Sequence, residues 1–215
     1  MSHDQILALG IAVGNTLTIY MPAWVLGTAL GIMISSAMWS MPQSISKNLY
    51  ALLAGISFIP TTILIPYFLR TFGLAFFIYP LLVLPVTLIT VSSSFEAFEH
   101  ANRHRATILV NYGISKANFF WKVVFRESLP SMKTTTRQTV SLCFAMFLAI
   151  DYFMENWGGL GKLAQLYYSR PSDGMNDSNQ ALLLVTIATA GVLGLAQVVL
   201  NDMIFRRVNE FRKHY

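Results

Sequence analysis

Asp151 and Glu155 stand four residues apart at the end of the largely apolar run from Val140 to Ile150, so both carboxylates share one helical face. Ionisable groups inside a membrane usually face a cavity or a partner. Both are therefore candidates for a pore or gate, although Glu155, close to Trp157, equally suits an outer interface. Pro60 and Pro66 interrupt another apolar run. They could free carbonyls towards a pathway, while ordinary kinking, with Thr61 and Thr62 as local hydrogen-bond partners, is the simpler reading. His100 and His104 are also four apart, but no third ligand stands nearby and the flanking arginines repel a cation, which argues against a metal. Gly161-Lys162 is followed by Leu163 where a phosphate-binding loop needs Ser or Thr, and Asn156 replaces its leading glycine. No Ser/His/Asp or Cys/His set shares an aqueous compartment, so neither nucleotide hydrolysis nor covalent catalysis is expected of this chain.

The elements that must carry these residues are set by composition. Of 215 residues, 54% are hydrophobic and 12% charged, against about 45 to 50% and about 25% in a soluble domain. Gln5 to Ser46, Asn48 to Leu69, Thr71 to Phe95 and Ser178 to Asn201 contain no Asp, Glu, Lys or Arg. Each run reaches the roughly 20 residues that an α-helix needs to cross a bilayer. Met1 to Asp4 has no basic character and the following apolar stretch is long, so no removable signal peptide is expected. The lone Cys143 excludes an internal disulfide framework.

These runs predict an all-α integral membrane protein with five spans in a single domain, 1–215. The first is expected from about Thr16 to Ala37, after an interfacial turn; a hairpin breaking near Gly14 and Asn15 is the alternative. The second runs from Leu49 to Leu69, the third from Leu74 to Ser94 through Pro80 and Pro85, the fourth from Val140 to Trp157 and the fifth from Gln180 to Ile204. Seven Lys or Arg lie between Glu96 and Gln138 and four follow Phe205, whereas Gly158 to Asn179 holds two. Basic loops stay on the cytoplasmic side, which sets the N-terminus outside and the C-terminus inside. The net charge of +5 is thus a topology signal, and nucleic-acid binding is not needed to explain it.

Within the basic stretch, Ile114, Phe119, Phe120, Val123 and Val124 group on one helical side while Lys116 and Lys122 fall elsewhere. This predicts a short amphipathic helix after Gly113, with Ser115 as its cap. Periodicity alone fits a plain interfacial anchor as well.

The wider pattern resembles the integral-membrane subunits of type I ABC importers, in the branch that includes nitrate, sulfonate and taurine permeases. Gly113, Ile114, Ser115 and Lys116, followed by Phe119, Phe120, Trp121, Lys122, Val123 and Val124, look like the second half of that family's cytoplasmic signature. Leu129-Pro130 matches a downstream Leu-Pro. Asn15-Thr16-Leu17 with Gly27 and Gly31, Ser57 to Pro60 with Pro66 and Phe72-Gly73, and Gly159-Leu160-Gly161 are similar to further family elements in the same order. The family's Glu-Ala-Ala is replaced here by Thr107-Ile108-Leu109, and its first Leu-Pro by Phe125-Arg126.

The resemblance implies a five-helix permease core whose cytoplasmic segment, about 96–130, couples to a separate ATPase through Thr107, Gly113, Ile114, Ser115, Lys116, Phe119 and Phe120. It implies two ATPase subunits that bind ATP and Mg, a second permease chain (the same or a related one) and an extracytoplasmic solute-binding protein. The chain itself would carry no cofactor and would sit in the inner membrane. A permease-like scaffold, suggested by the altered signature, and an ion-coupled carrier using Asp151 are the contrasting readings. Gly27 with Gly31, and Ala190 with Gly194, have the spacing that lets helices approach closely, within one subunit or between two.

Overall fold

The computed structural model describes residues 3–57, 61–102, 115–154, 157–168 and 177–213. The described residues are almost entirely helical: α1 (His3–Ser40), α2 (Gln43–Ser57), a 3-10 turn (Thr61–Leu64), α3 (Ile65–Phe76), α4 (Ile78–Asn102), α5 (Lys116–Phe119), a π-turn (Phe120–Val124), α6 (Phe125–Met154), α7 (Leu160–Tyr168) and α8 (Asp177–Lys213). Among them, three stretches are long and apolar enough to cross a membrane: His3–Ser40, Ile78–His100 and Gln180–Met203.

Several expected boundaries move. The first helix is continuous through Gly14, Asn15 and Pro22, with neither an interfacial turn nor a hairpin. Asn15 does not compete with its own backbone, because its amide donates across the fold to the carbonyls of Trp157 and Gly158. The expected second span is broken: α2 stops at Ser57 and α3 starts at Ile65. Pro66 falls in the first turn of α3, where its missing N–H costs nothing, so it starts a helix rather than kinking one. Gly73 adopts φ 70°, a left-handed conformation that costs a side-chain-bearing residue energy, and kinks the chain within α3 just before α4. Consequently α4 begins at Ile78, four residues later than expected, and continues past Ser94 to Asn102.

α1 and α4 lie parallel and in close contact. A Cβ on Gly27 would approach Val86 Cγ1 to 2.8 Å, and one on Gly31 would approach Thr90 Cβ to 2.5 Å. Thr87 Oγ1 donates to the Gly27 carbonyl at 3.2 Å across the same seam. The glycine pair therefore packs two helices of one chain. α6 runs antiparallel to α1: Tyr20 meets Phe144 and Phe147, and Trp24 Nε1 donates to Thr139 Oγ1 at 3.3 Å. The core groups Tyr20, Phe77, Leu81, Val86, Cys143 and Phe147, all of them fully buried. α8 runs back along α6, with Gly194 opposite Phe144 and Lys133 Nζ paired to Asp202 Oδ1 at 3.2 Å. Large apolar side chains such as Met33, Phe76, Phe153, Val192 and Leu195 remain exposed, as expected of a bundle bathed in lipid.

Candidate functional site

The bundle has two distinct ends. At one, called here the basic end, the last turns of α1 and α4 meet the segment from Ser115. Ser115 Oγ accepts the backbone N–H of Asn118 at 3.4 Å, the capping role its position predicts. The following helix is not a separate short piece. Lys116–Phe119, the π-turn and Phe125–Met154 are contiguous, so the segment is continuous with α6, through Pro130, over a helical path of roughly 60 Å at 1.5 Å per residue. The π-turn adds one residue to the helical register, visible as the Phe125 N–H bonding back to the Phe120 carbonyl. Such insertions are frequent at functional sites.

The aromatic face of this segment points inward, onto the chain's own helices. Phe119 and Phe120 are 7% and 5% exposed, packed with Phe98 of α4 and Met132 of α6. Trp39 of α1 lies 6.4 Å from Phe119 and 4.9 Å from Phe120 between ring centroids. Phe119 and Phe120 anchor the segment to α1 and α4, and Trp121 and Lys122 are exposed. Lys116 opens α5. Thr107, Gly113 and Ile114 lie outside the described residues, as do His104, Pro60 and Glu155.

At the opposite end, called the turn end, Gly158-Gly159-Leu160-Gly161 is held from two sides. Asp151, completely buried on α6, accepts the backbone N–H of Gly159 on Oδ1 at 3.3 Å and that of Lys162 on Oδ2 at 2.9 Å. Thr16, equally buried on α1, accepts the N–H of Leu160 at 3.0 Å and donates to its own Ala12 carbonyl at 2.8 Å. Asn15 supplies the third grip, its amide donating to the carbonyls of Trp157 and Gly158. Asp151 and Thr16 take up amides that the start of α7 would otherwise leave unpaired, in surroundings where an unpaired amide is costly.

The glycines are demanded by this clasp. A Cβ on Gly159 would stand 2.7 Å from Asp151 Oδ2 and 2.8 Å from Thr16 Oγ1, and one on Gly161 would stand 2.4 Å from the Leu148 carbonyl. Asp151 therefore faces the turn rather than an open channel among the described residues, with both oxygens engaged. Its geometry is that of an anchor for the turn.

The sequence marks Asn15, Thr16, Asp151 and Gly159 separately; Asn15 and Thr16 meet the turn across more than 130 residues of chain, and Asp151 meets it only through the way α6 and α7 fold together. Trp39 and Phe98 were missed, since one aromatic inside an apolar helix carries no signal of its partner. Among the described residues no group of three or more His, Cys, Asp or Glu could hold a metal ion.

No family model and no curated protein sequence matches the chain. Solved structures do match. Two are chains titled as inward-facing conformations of the MetNI methionine ABC transporter, each 17% identical, covering 97% of this chain and 99% of the other. The TM-scores are 0.78 for the CY5 native crystal form and 0.74 for the CY5 SeMet soak. With its apolar helices of membrane-crossing length, this all-α chain is a multi-pass membrane protein with the fold of an ABC importer permease.

Proposed function

We propose that the chain is a permease subunit of an ATP-driven importer, forming part of the pathway for a small solute delivered by an extracytoplasmic binding protein. The fold likeness over nearly the whole chain supports this reading. Five passages follow from it: α1, the broken α2 and α3 pair, α4, the apolar half of α6, and α8. The basic end faces the cytoplasm, where its Lys and Arg residues belong, and the turn end faces outward. Two ATPase subunits, binding ATP and Mg, and a second permease chain, identical or related, complete the assembly in the inner membrane.

The single observation that carries the mechanism is the fusion of the segment from Lys116 with α6. A body gripped at Trp121 and Lys122 cannot move without moving α6 and, through Trp39 and Phe98, the ends of α1 and α4. Closure of the ATPase pair would thereby switch access to the pathway as a rigid-body motion. The clasp at Asp151 keeps α1, α6 and α7 together at the outer end while the inner end moves.

Copurification tests the reading. An ATPase that comes down with the chain, and whose rate rises with binding protein and solute, is the expected outcome. Stable association without stimulation supports the scaffold reading, which the Thr107-Ile108-Leu109 replacement favours. Uptake driven by a proton gradient alone supports a carrier, for which Asp151 is poorly placed because both its oxygens are engaged.

A further inference from the structure

Between the last turns of α4 and the first half of α6 lies a half-open cavity of about 460 Å³, within the range of small-molecule sites. Ser93, Glu96 and His100 line one wall; Ser128, Ser131 and Thr135 line the other. Both sets recur at helical spacing, so two helices turn polar stripes into one space. Ser128 and Thr135 are 2% and 5% exposed, and their hydroxyl protons are already committed: Ser128 Oγ donates to the Phe125 carbonyl at 2.8 Å and Thr135 Oγ1 to the Ser131 carbonyl at 3.4 Å. What these side chains can offer a ligand is therefore oxygen lone pairs. Tyr50 of α2 donates its hydroxyl to Glu96 Oε1 and so orients that carboxylate at the rim. Glu127 also borders the space, and no Lys or Arg is among the described lining residues.

Of the described lining residues His100 alone can carry a positive charge, and the Glu96 carboxylate stands one turn from it on the same wall, so a group rich in N–H donors meets more acceptors here than an anion meets donors. The described residues also lack the ligand set for a metal. We propose that this trough between α4 and α6, lined by hydroxyls and the Glu96 carboxylate, binds a small organic cation with N–H donors, an ammonium or amidinium. The inference rests on the importer reading for its inward orientation, and there it names the class of solute carried. The volume suits a small molecule, not a helix of a partner protein.

The full chain in phosphatidylcholine nanodiscs, alone and with its copurifying ATPase, is titrated calorimetrically with agmatine and benzamidine, and with ethanesulfonate as the anionic control. Both cations bind and ethanesulfonate does not. Glu96→Gln weakens cation binding tenfold or more, Ser131→Ala weakens it several-fold, and Glu96→Asp retains part of it, all with melting curves that overlay the parent's. Absence of cation binding, or binding unchanged in Glu96→Gln, overturns the proposal. No cation binding together with loss of ATPase copurification in Glu96→Gln also overturns it, and assigns the trough to a basic residue of the ATPase. The two readings separate cleanly: ATP-driven uptake without cation binding removes only this proposal, and cation binding by a chain that recruits no ATPase removes only the importer reading.

Discussion

The ring of Trp39, one residue from the end of α1, lies 4.9 Å from that of Phe120, the first residue of the π-turn, with the planes tilted by 40°. This contact joins the basic segment to a helix that the chain left some 80 residues earlier. Aromatic pairs of this kind contribute about 0.5 to 1.5 kcal/mol beyond the area they bury. Trp39→Ala and Phe120→Ala are each expected to leave the bundle folded while loosening the segment. ATPase stimulation by solute should then fall at least tenfold, with the unstimulated rate retained. Phe119→Asp places a charge in the same buried cluster and should abolish coupling, read as uptake per ATP hydrolysed.

At the turn end, the expected effect is on stability. Asp151→Ala strips two backbone amides of their acceptor, at about 1 to 3 kcal/mol each. The melting temperature in detergent should drop steeply. Asp151→Asn keeps one acceptor oxygen and should fall between the two. An unchanged melting curve for Asp151→Ala would leave the clasp without energetic weight.

Glycine replacement separates the close contacts from the open ones. Gly161→Ala forces a Cβ to within 2.4 Å of the Leu148 carbonyl, and Gly31→Ala to within 2.5 Å of Thr90 Cβ. Overpacking of this kind costs about 1 to 3 kcal/mol or more. Gly191 has nothing within 4 Å of its would-be Cβ, so Gly191→Ala should be neutral or slightly stabilising. Melting curves of the three variants, measured side by side, check the ordering.

Thr16 acts through its oxygen. Thr16→Ser retains the acceptor for the Leu160 amide and should preserve stability within about 1 kcal/mol, whereas Thr16→Val keeps the shape, loses the acceptor and should cost about 1 to 3 kcal/mol. Equal losses in both variants would point to packing of the methyl group instead.

The all-α class and a close helix approach at Gly27 and Gly31 could be read from the chain, because uncharged runs and small residues four apart are local signals, but the partner helix, α4, could not. So was the Ser115 cap. Helix ends were harder to place. Asn15 looks like a breaker until Trp157 and Gly158 take its amide, and Pro66 looks like a kink until α3 is seen to start beside it. The role of Asp151 was hidden for the same reason. A carboxylate among apolar residues signals that a partner exists, but the partner, a turn eight to eleven residues on, is set by how α6 and α7 fold together. The inward aim of Phe119 and Phe120 depended likewise on Trp39 and Phe98, which no periodicity within the segment can name.

The central claim is that the exposed side of the basic segment is the handle on the cytoplasmic face. Cys143 is the only cysteine and is completely buried, so Trp121→Cys introduces a single reactive thiol at an exposed position. In sealed right-side-out vesicles, that thiol should resist a membrane-impermeant maleimide until the vesicles are opened, and a short bifunctional reagent should link it to the ATPase. Labelling from outside in intact vesicles, with no link to any ATPase, would contradict the account.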